Sequence, residues 1–343
     1  MSQLHQMLVG DCIEMMRTLP DKSVHTCVTS PPYYGLRDYG VDGQIGLEEA
    51  PGEFINRLVD VFREVRRVLR DDGTAWVNMG DSYARSWGAQ GRPQGEGQMS
   101  GRSVTSARQI NEHPRFKSGT GVRGREMGMK SKDLMGMPWR LAFALQDDGW
   151  YLRQDIIWNK PNPMPESVRD RCTKSHEYVF LLSKSKKYYF DQAAIAENAL
   201  EPRGPGNLSP IEALPGERPT ENSNIRGSLH KIGPRCTRNK RSVWTVSTQS
   251  FKGAHFATFP PELIRPCILA GAPRGGIVLD PFGGAGTTSL VSMQEGRRSI
   301  LCELNPEYAS LAKSRINNAH FDGASQMDVF RDWHGCNVIK KQW

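Results

Sequence analysis

Two short stretches carry residues whose types and spacing could do chemistry together. The first is Thr29-Ser30-Pro31-Pro32-Tyr33-Tyr34, which follows the apolar run Val24–Val28 and precedes Gly35. Proline has no N–H and fixes φ, so Ser30 and Pro31 are held extended, with carbonyls that lack ladder partners. Two rigid acceptors beside an aromatic ring suit the holding of a flat group that bears an amino donor. The bland alternative is a Pro-terminated strand end with a packed tyrosine. The second stretch runs from Ile277 through Asp280-Pro281-Phe282-Gly283-Gly284-Ala285-Gly286-Thr287-Thr288. It reads as a buried strand entering a glycine-rich turn, with Thr287 able to cap the helix that follows. Glycines at such a turn let backbone approach a ligand closely. Seventeen residues beyond Gly286, the strand Ser299–Cys302 ends at Glu303. An acid at that distance is placed to hydrogen-bond ribose hydroxyls. A dinucleotide fold is the rival, but this turn reads GGAG, with Asp280 at the strand end, and is not a GxGxxG.

The elements that must position these residues follow a strand–helix rhythm. Residues 6–11 read as a short strand ending in Asp11, which suits the N-cap of a helix over residues 12–19. After the Val24–Val28 strand, residues 35–46 form a loop. A helix over 51–69 is predicted from Phe54, Leu58, Val61, Phe62, Val65 and Leu69, close to 3.6 spacing. Asp71-Asp72-Gly73 should end it and Thr74–Met79 should be the next buried strand, a βαβ unit and hence a parallel sheet. Further on come a helix over 138–146, a strand over 150–158, and a strand over 177–183 whose hairpin return is 188–191. A helix starting near Pro260-Pro261-Glu262 leads into the second stretch, and a last helix spans 306–316.

Two intervals break the rhythm. Residues 83–129 hold nine glycines and few large aliphatics, and between Ser82 and Lys132 ten Lys/Arg face three Glu. That composition cannot bury enough surface to fold alone, and predicts a mobile arm or a solvated loop. As an arm it would offer phosphate contacts from Arg85, Arg92, Arg102, Arg108, Arg115, Arg123 and Arg125. The second interval, 197–250, is irregular, and its basic run includes Lys231, Arg235, Arg238, Lys240 and Arg241 without an acid. The chain of 343 residues carries a formal net charge of +8, so the lopsided basic segments favour a polyanion partner. There is no apolar stretch long enough to span a membrane and no leader pattern, which predicts a cytoplasmic protein. Seven cysteines with no CxxC argue against a disulfide framework or a zinc site, and no metal is expected.

Together the SPPY and DPFGGAGTT segments resemble those of the amino-group DNA methyltransferases that use S-adenosylmethionine (AdoMet), in the permuted class with the catalytic motif first. The resemblance extends with gaps from Met7 to about Ile316. It implies an α/β, Rossmann-like fold with a mixed, mostly parallel seven-stranded sheet and helices on both faces. It assigns 1–82 and 133–196 to the catalytic half, 83–132 to the basic loop, 197–250 to target recognition, 251–320 to the AdoMet half and 321–343 to a tail. By the same resemblance Ser30, Pro31, Pro32 and Tyr33 hold the target base. Asp11, Phe259, Asp280, Phe282, Gly283, Gly284, Gly286, Thr287, Thr288 and Glu303 then hold AdoMet. The implied partner is double-stranded DNA, met in a microbial cell or a virus-infected one, with a cognate restriction endonuclease as a companion left open. An exocyclic amine is a poor nucleophile, because its lone pair is delocalised into the ring. Accepting its protons on Ser30 and Pro31 would localise that pair for direct in-line transfer, with the base flipped out and Tyr33 stacked on it. Cytosine N4 and adenine N6 are both open as targets. Ser rather than Asp before the two prolines tilts toward cytosine. Another planar amine, in RNA or protein, and an inactive DNA-binding protein are the rivals. Pro266-Cys267 resembles a cytosine-C5 nucleophile, but it lies in an apolar-periodic helix and is read as core.

Overall fold

The computed structural model describes residues 4–36, 40–84, 129–130, 132–203, 235–249 and 259–333. Residues 1–190 and 242–343 form one compact unit, and residues 191–241 form another.

Among the described residues the large unit has eight strands: β1 (His5–Val9), β2 (Val24–Thr29), β3 (Leu69–Met79), β4 (Tyr151–Asn159), β5 (His176–Ser183), β8 (Val243–Thr245), β9 (Ile277–Asp280) and β10 (Arg298–Glu303). The smaller unit holds β6 (Glu197–Arg203) paired antiparallel with β7 (Arg235–Arg238). The eight strands form one sheet in the order β1-β10-β9-β2-β3-β5-β4-β8. Every neighbouring pair is parallel except those made by β5, which runs antiparallel between β3 and β4. The helices are α1 (Cys12–Arg17), α2 (Pro51–Val68), α3 (Met137–Asp147), α4 (Pro261–Gly271), α5 (Thr287–Gln294) and α6 (Pro306–Trp333).

The period-2 alternation of β3 divides the helices between the two faces. Ala75, Val77 and Met79 share one buried cluster with Phe54, Leu58, Val61, Phe62 and Val65 of α2 and with Leu141 and Leu145 of α3. Thr74 and Trp76 point to the other face. There Gly271, at the end of α4, sits so close that an added Cβ would lie 2.5 Å from Thr26 Oγ1 and 3.0 Å from Thr74 Oγ1. Cys267 of α4 is 1 % exposed, so it is core, as its helical setting predicts.

Five local expectations are corrected. Helix α2 stops at Val68, and Leu69 is already extended. Residues 70–73 do not break the chain, because a register shift between β2 and β3 absorbs them inside β3. Residues 188–191 make no hairpin with β5. Phe190 instead stacks over Trp76, ring centroids 6.2 Å apart, and Tyr189 N–H donates to Asp72 O at 2.9 Å. The sheet has an eighth strand, β8, drawn from the interval expected to be irregular. Trp244 explains it, being 6 % exposed and 6.5 Å from Trp76. Finally, the last helix runs on to Trp333 rather than ending at Ile316.

Candidate active site

Seven strands point the same way, so their C-terminal ends share one edge of the sheet with the N-terminus of β5. Strand order reverses between β9 and β2: from β9 the chain moves to β10, from β2 to β3 on the other side. A crevice outside such a reversal is where open α/β sheets bind ligands. The two stretches singled out from the sequence flank it, one at the end of each strand.

Asp280 ties them together. Its Oδ1 accepts from Thr29 Oγ1 at 2.6 Å and from Phe282 N–H at 3.1 Å, and its Oδ2 from Thr288 Oγ1 at 2.6 Å. The residue is 2 % exposed. Burial pushes its carboxyl above the usual range, against the pull of the three donors. Asp280 and Thr288 therefore act as buried struts of the turn.

The glycine turn has two kinds of glycine. An added Cβ on Gly283 would meet Leu301 Cβ at 2.9 Å, so this residue serves packing against β10. Gly284 has φ +49, and its added Cβ would find nothing nearer than Phe282 O at 3.9 Å, so it leaves the space over the turn open. Gly286, with φ +77, is the cap of α5. Thr287 does not cap the helix as expected, because the left-handed turn puts glycine there and makes Thr287 the first helical residue. Thr287 Oγ1 instead accepts from Arg315 Nη1 at 3.1 Å, and the same nitrogen donates to Ala285 O at 3.0 Å. Glu303 closes the turn from β10: its carboxylate accepts from Gly284 N–H at 2.8 Å and Asn305 N–H at 2.9 Å. Burial raises its pKa while those donors oppose the rise. Asp11 Oδ1 accepts from Ile13 and Glu14 N–H, the N-cap its position predicts. Phe282 and Phe259 are half-buried.

On the β2 side, pairing with β3 ends at Thr29 opposite Val77, so Ser30 and Pro31 extend past the ladder. Pro31 is buried, and Ser30, Pro32 and Tyr33 are half-buried. Tyr33 Oη donates to Glu177 Oε2 at 2.7 Å, and Asn78 Nδ2 donates to the same oxygen at 3.2 Å. Lys160 Nζ is hydrogen-bonded to Glu177 Oε1 and lies 4.3 Å from the centre of the Trp158 ring. Gly80 makes the meeting possible, since a Cβ there would lie 2.9 Å from Tyr33 Cε2 and 3.1 Å from Glu177 Cδ. Burial, then the charge of Glu177, holds the Tyr33 phenol well above its ordinary pKa. Asp81, two residues past β3, accepts from the N–H groups of Gly136 and Met137 and caps α3.

Of the proposed DNA contacts, Arg85, Arg92, Arg102, Arg108, Arg115, Arg123, Arg125 and Lys231 lie outside the described residues. Arg235 is placed by its backbone in β7. The basic run expected to lack an acid has one in the fold. Glu197, about forty residues away in sequence, is approached by Arg241 Nε at 3.0 Å, Arg238 Nε at 3.4 Å and Lys240 Nζ at 3.8 Å. Sequence reasoning also missed Glu177, Asn78, Lys160 and Arg315. The first three come from separate strand ends, and no local motif flags them. Among the described residues no group of His, Cys, Asp and Glu is arranged to hold a metal ion, and no helix is long and apolar enough to cross a membrane.

Residues 24–314 match a family model described as DNA methylase, of the N6/N4 type. The chain is 47 % identical over 307 residues to the type II methyltransferase M.Cfr9I of Citrobacter freundii, an alignment covering 90 % of this chain and 86 % of that one. It is 47 % identical over 314 residues to the type II methyltransferase M.SmaI of Serratia marcescens, covering 91 % and 90 %. Among solved structures, the fold is similar to PvuII DNA methyltransferase (cytosine-N4-specific), with TM-score 0.58, 18 % identity and 93 % and 92 % of the two chains covered. It is also similar to TTHA0409 of Thermus thermophilus complexed with S-adenosyl-L-methionine, with TM-score 0.53, 23 % identity and 92 % and 95 % covered.

Proposed function

The chain belongs to the N6/N4 DNA methylase family, and we propose that it transfers a methyl group from AdoMet to an exocyclic amine of double-stranded DNA, cytosine N4 in preference to adenine N6. The observation that carries this reading is the Thr29–Asp280 hydrogen bond, which joins the Ser30-Pro31-Pro32-Tyr33 segment to the glycine turn across the crevice. The crevice fits AdoMet on two counts: the open side of Gly284 leaves room for a ligand at the backbone, and Glu303 holds a carboxylate beside it.

When bound, AdoMet supplies an electrophilic methyl group on a sulfonium. The turn residues Phe282, Gly283 and Gly284 would hold it, with Glu303 on the ribose, Asp11 near the adenine and Phe259 near the methionine end. Asp280, Thr288 and Thr287 keep the turn in shape. Ser30 and the Pro31 carbonyl accept the amine's hydrogens, so its lone pair is localised toward the reacting face. Tyr33 offers its ring to the flipped base. The preference for cytosine rests on Ser30: a neutral hydroxyl beside the acceptor edge of cytosine avoids the repulsion an ionised carboxylate would bring.

The permuted order, with the amine-binding segment before the cofactor segment, supports a recognition role for the interval between them, residues 197–250. The arginines of the 83–132 stretch would supply phosphate contacts in this reading. The likeness to type II methyltransferases supports action at a defined site, with a cognate restriction endonuclease as the matching companion. Sequencing modified bases in DNA from cells that express the protein tests all of this. A single methylated sequence motif carrying N4-methylcytosine is expected. N6-methyladenine would overturn the base assignment, and unmodified DNA the function.

A further inference from the structure

Strands β4 and β5 are joined on the active-site edge by residues 160–175, a loop whose mouth is closed where Lys160 N–H donates to Ser175 O at 2.7 Å. The loop begins Lys160-Pro161-Asn162-Pro163-Met164-Pro165. Each proline fixes its own φ and confines the residue before it to extended backbone, so this strap is stiff. It is also pinned on both sides of its tip. Asn162 Oδ1 accepts from Thr248 N–H at 2.9 Å, and Asn162 Nδ2 donates to Thr248 O at 3.3 Å. Glu166 Oε2 accepts from Arg171 Nη1 at 2.6 Å, and the Arg171 guanidinium lies 4.0 Å from the centre of the Tyr83 ring. Between these anchors Met164 is 85 % exposed, against 57 % for Val243, the next most exposed large apolar residue among the described residues. A lone exposed apolar side chain on a loose surface loop is ordinary. Here a stiff, pinned backbone holds it out into solvent.

The strap stands beside the Ser-Pro-Pro-Tyr segment. The strand order β2-β3-β5-β4 puts the ends of β5 and β4 two and three strands from that of β2, about 10 and 14 Å. Lys160, where the strap starts, is hydrogen-bonded to Glu177, which in turn holds Tyr33. Four residues of chain then keep Met164 within about 14 Å of Lys160. The charge of the loop suits a polyanion: residues 160–175 carry four Lys/Arg against two acids, and both acids are ion-paired, Glu166 with Arg171 and Asp170 with Lys132. We propose that Met164 is an apolar wedge that enters the base stack of duplex DNA where the target nucleotide leaves it. Apolar side chains, methionine among them, insert between base steps, and the unbranched Met side chain fills an irregular gap. A base turned out toward Tyr33 leaves such a gap, and a filled gap opposes its return. The inference rests on the methyltransferase reading and adds to it the residue that stabilises the opened duplex.

The test uses the full chain and two synthetic duplexes that carry the sequence the parent methylates, read as the single-turnover rate of labelled methyl transfer. One duplex is fully paired. In the other the target base faces an abasic site, so it is unpaired from the start. Met164→Ala is expected to slow transfer to the paired duplex about tenfold or more, because nothing then offsets the unstacking. On the abasic duplex it should come within about twofold of the parent, since an unpaired base is the easiest to extrude. Met164→Leu, still apolar and of similar size, should recover most of the rate on paired DNA. AdoMet affinity and melting temperature should match the parent in both variants, because the side chain is exposed. An alanine variant as fast as the parent on paired DNA overturns the proposal. So does an equal deficit on the two duplexes, which would make Met164 a general DNA contact rather than a wedge. A parent protein that labels no DNA fails the proposed function first and takes this inference with it.

Discussion

The two walls of the crevice between β9 and β2 are assembled differently. On the β9 wall the partners are near in sequence: Asp280 with Phe282 and Thr288, and Glu303 with Gly284 and Asn305. Arg315, from the helix after β10, completes it. On the β2 wall, Tyr33 is held by Glu177, 144 positions away, itself held by Asn78 and Lys160. One wall is built from hydrogen bonds among residues 280–315. The other exists only when three strand ends have come together. Asp280 is the link, since it hydrogen-bonds Thr29 on the β2 side as well as its own turn.

That difference can be broken at the link first. Asp280→Ala leaves two buried hydroxyls and a backbone N–H without their acceptor and should destabilise the protein by about 3 kcal/mol or more. Urea unfolding checks it; a midpoint equal to the parent's would show that the walls do not depend on this residue. The next effect belongs to the β9 wall alone. Glu303→Ala should weaken AdoMet by roughly 1.5–3 kcal/mol, the loss of hydrogen bonds to a charged acceptor, while Glu177→Gln on the opposite wall leaves that affinity unchanged. Calorimetric titration separates the two. If both variants lose AdoMet alike, the walls are not independent.

Two adjacent glycines sharpen the division within the β9 wall. Gly283→Ala puts a methyl 2.9 Å from Leu301 Cβ and should lower the melting temperature through overpacking of about 1–3 kcal/mol. Gly284→Ala meets no such neighbour. Its left-handed φ costs the fold only about 1 kcal/mol, while the new methyl sits in the open space over the turn and weakens AdoMet. Melting curves with and without AdoMet should therefore rank the pair in opposite orders. The same rank in both would remove Gly284 from the cofactor site.

How legible each wall was in the sequence follows from the same contrast. The β9 wall could be read because a strand, a glycine turn and an acid seventeen residues on are contiguous signals. Even there the turn misled at one position, where Thr287 resembles a cap and Gly286 takes that place because the backbone is left-handed. On the β2 wall the Ser-Pro-Pro-Tyr segment was visible, but its support was not. Glu177 looks like any strand start until β5 is threaded between β3 and β4. Trp244 hid in the same way, in a short strand that pairs along the edge of β4. Glu197 likewise meets its basic partners only through the β6–β7 pairing, so a run that looks acid-free in sequence is charge-paired in the fold.

The smallest expected effect lies far from the strand ends. His25 Nδ1 accepts from Ile277 N–H at 3.0 Å where β9 begins. Burial, then the nearby Arg70 charge, lowers its pKa. The folded state thus refuses a proton that the unfolded chain takes up below about pH 6.5. The stability this bond contributes is full above that value and is lost as pH falls toward the depressed folded pKa. Chemical unfolding between about pH 7.5 and 5 should show a shallow decline that His25→Gln flattens. An identical slope in the variant would remove His25 from the account.

The most direct measurement of the central claim uses purified protein, plasmid DNA and AdoMet carrying a deuterated methyl group. The products are digested to nucleosides and resolved by mass. The crevice between the two walls predicts the heavy methyl on an exocyclic amine, chiefly as N4-methyldeoxycytidine, and its loss in a Ser30-Pro31 double alanine variant that still binds AdoMet. Heavy methyl on cytosine C5, or transfer to RNA or protein with none to DNA, would contradict it.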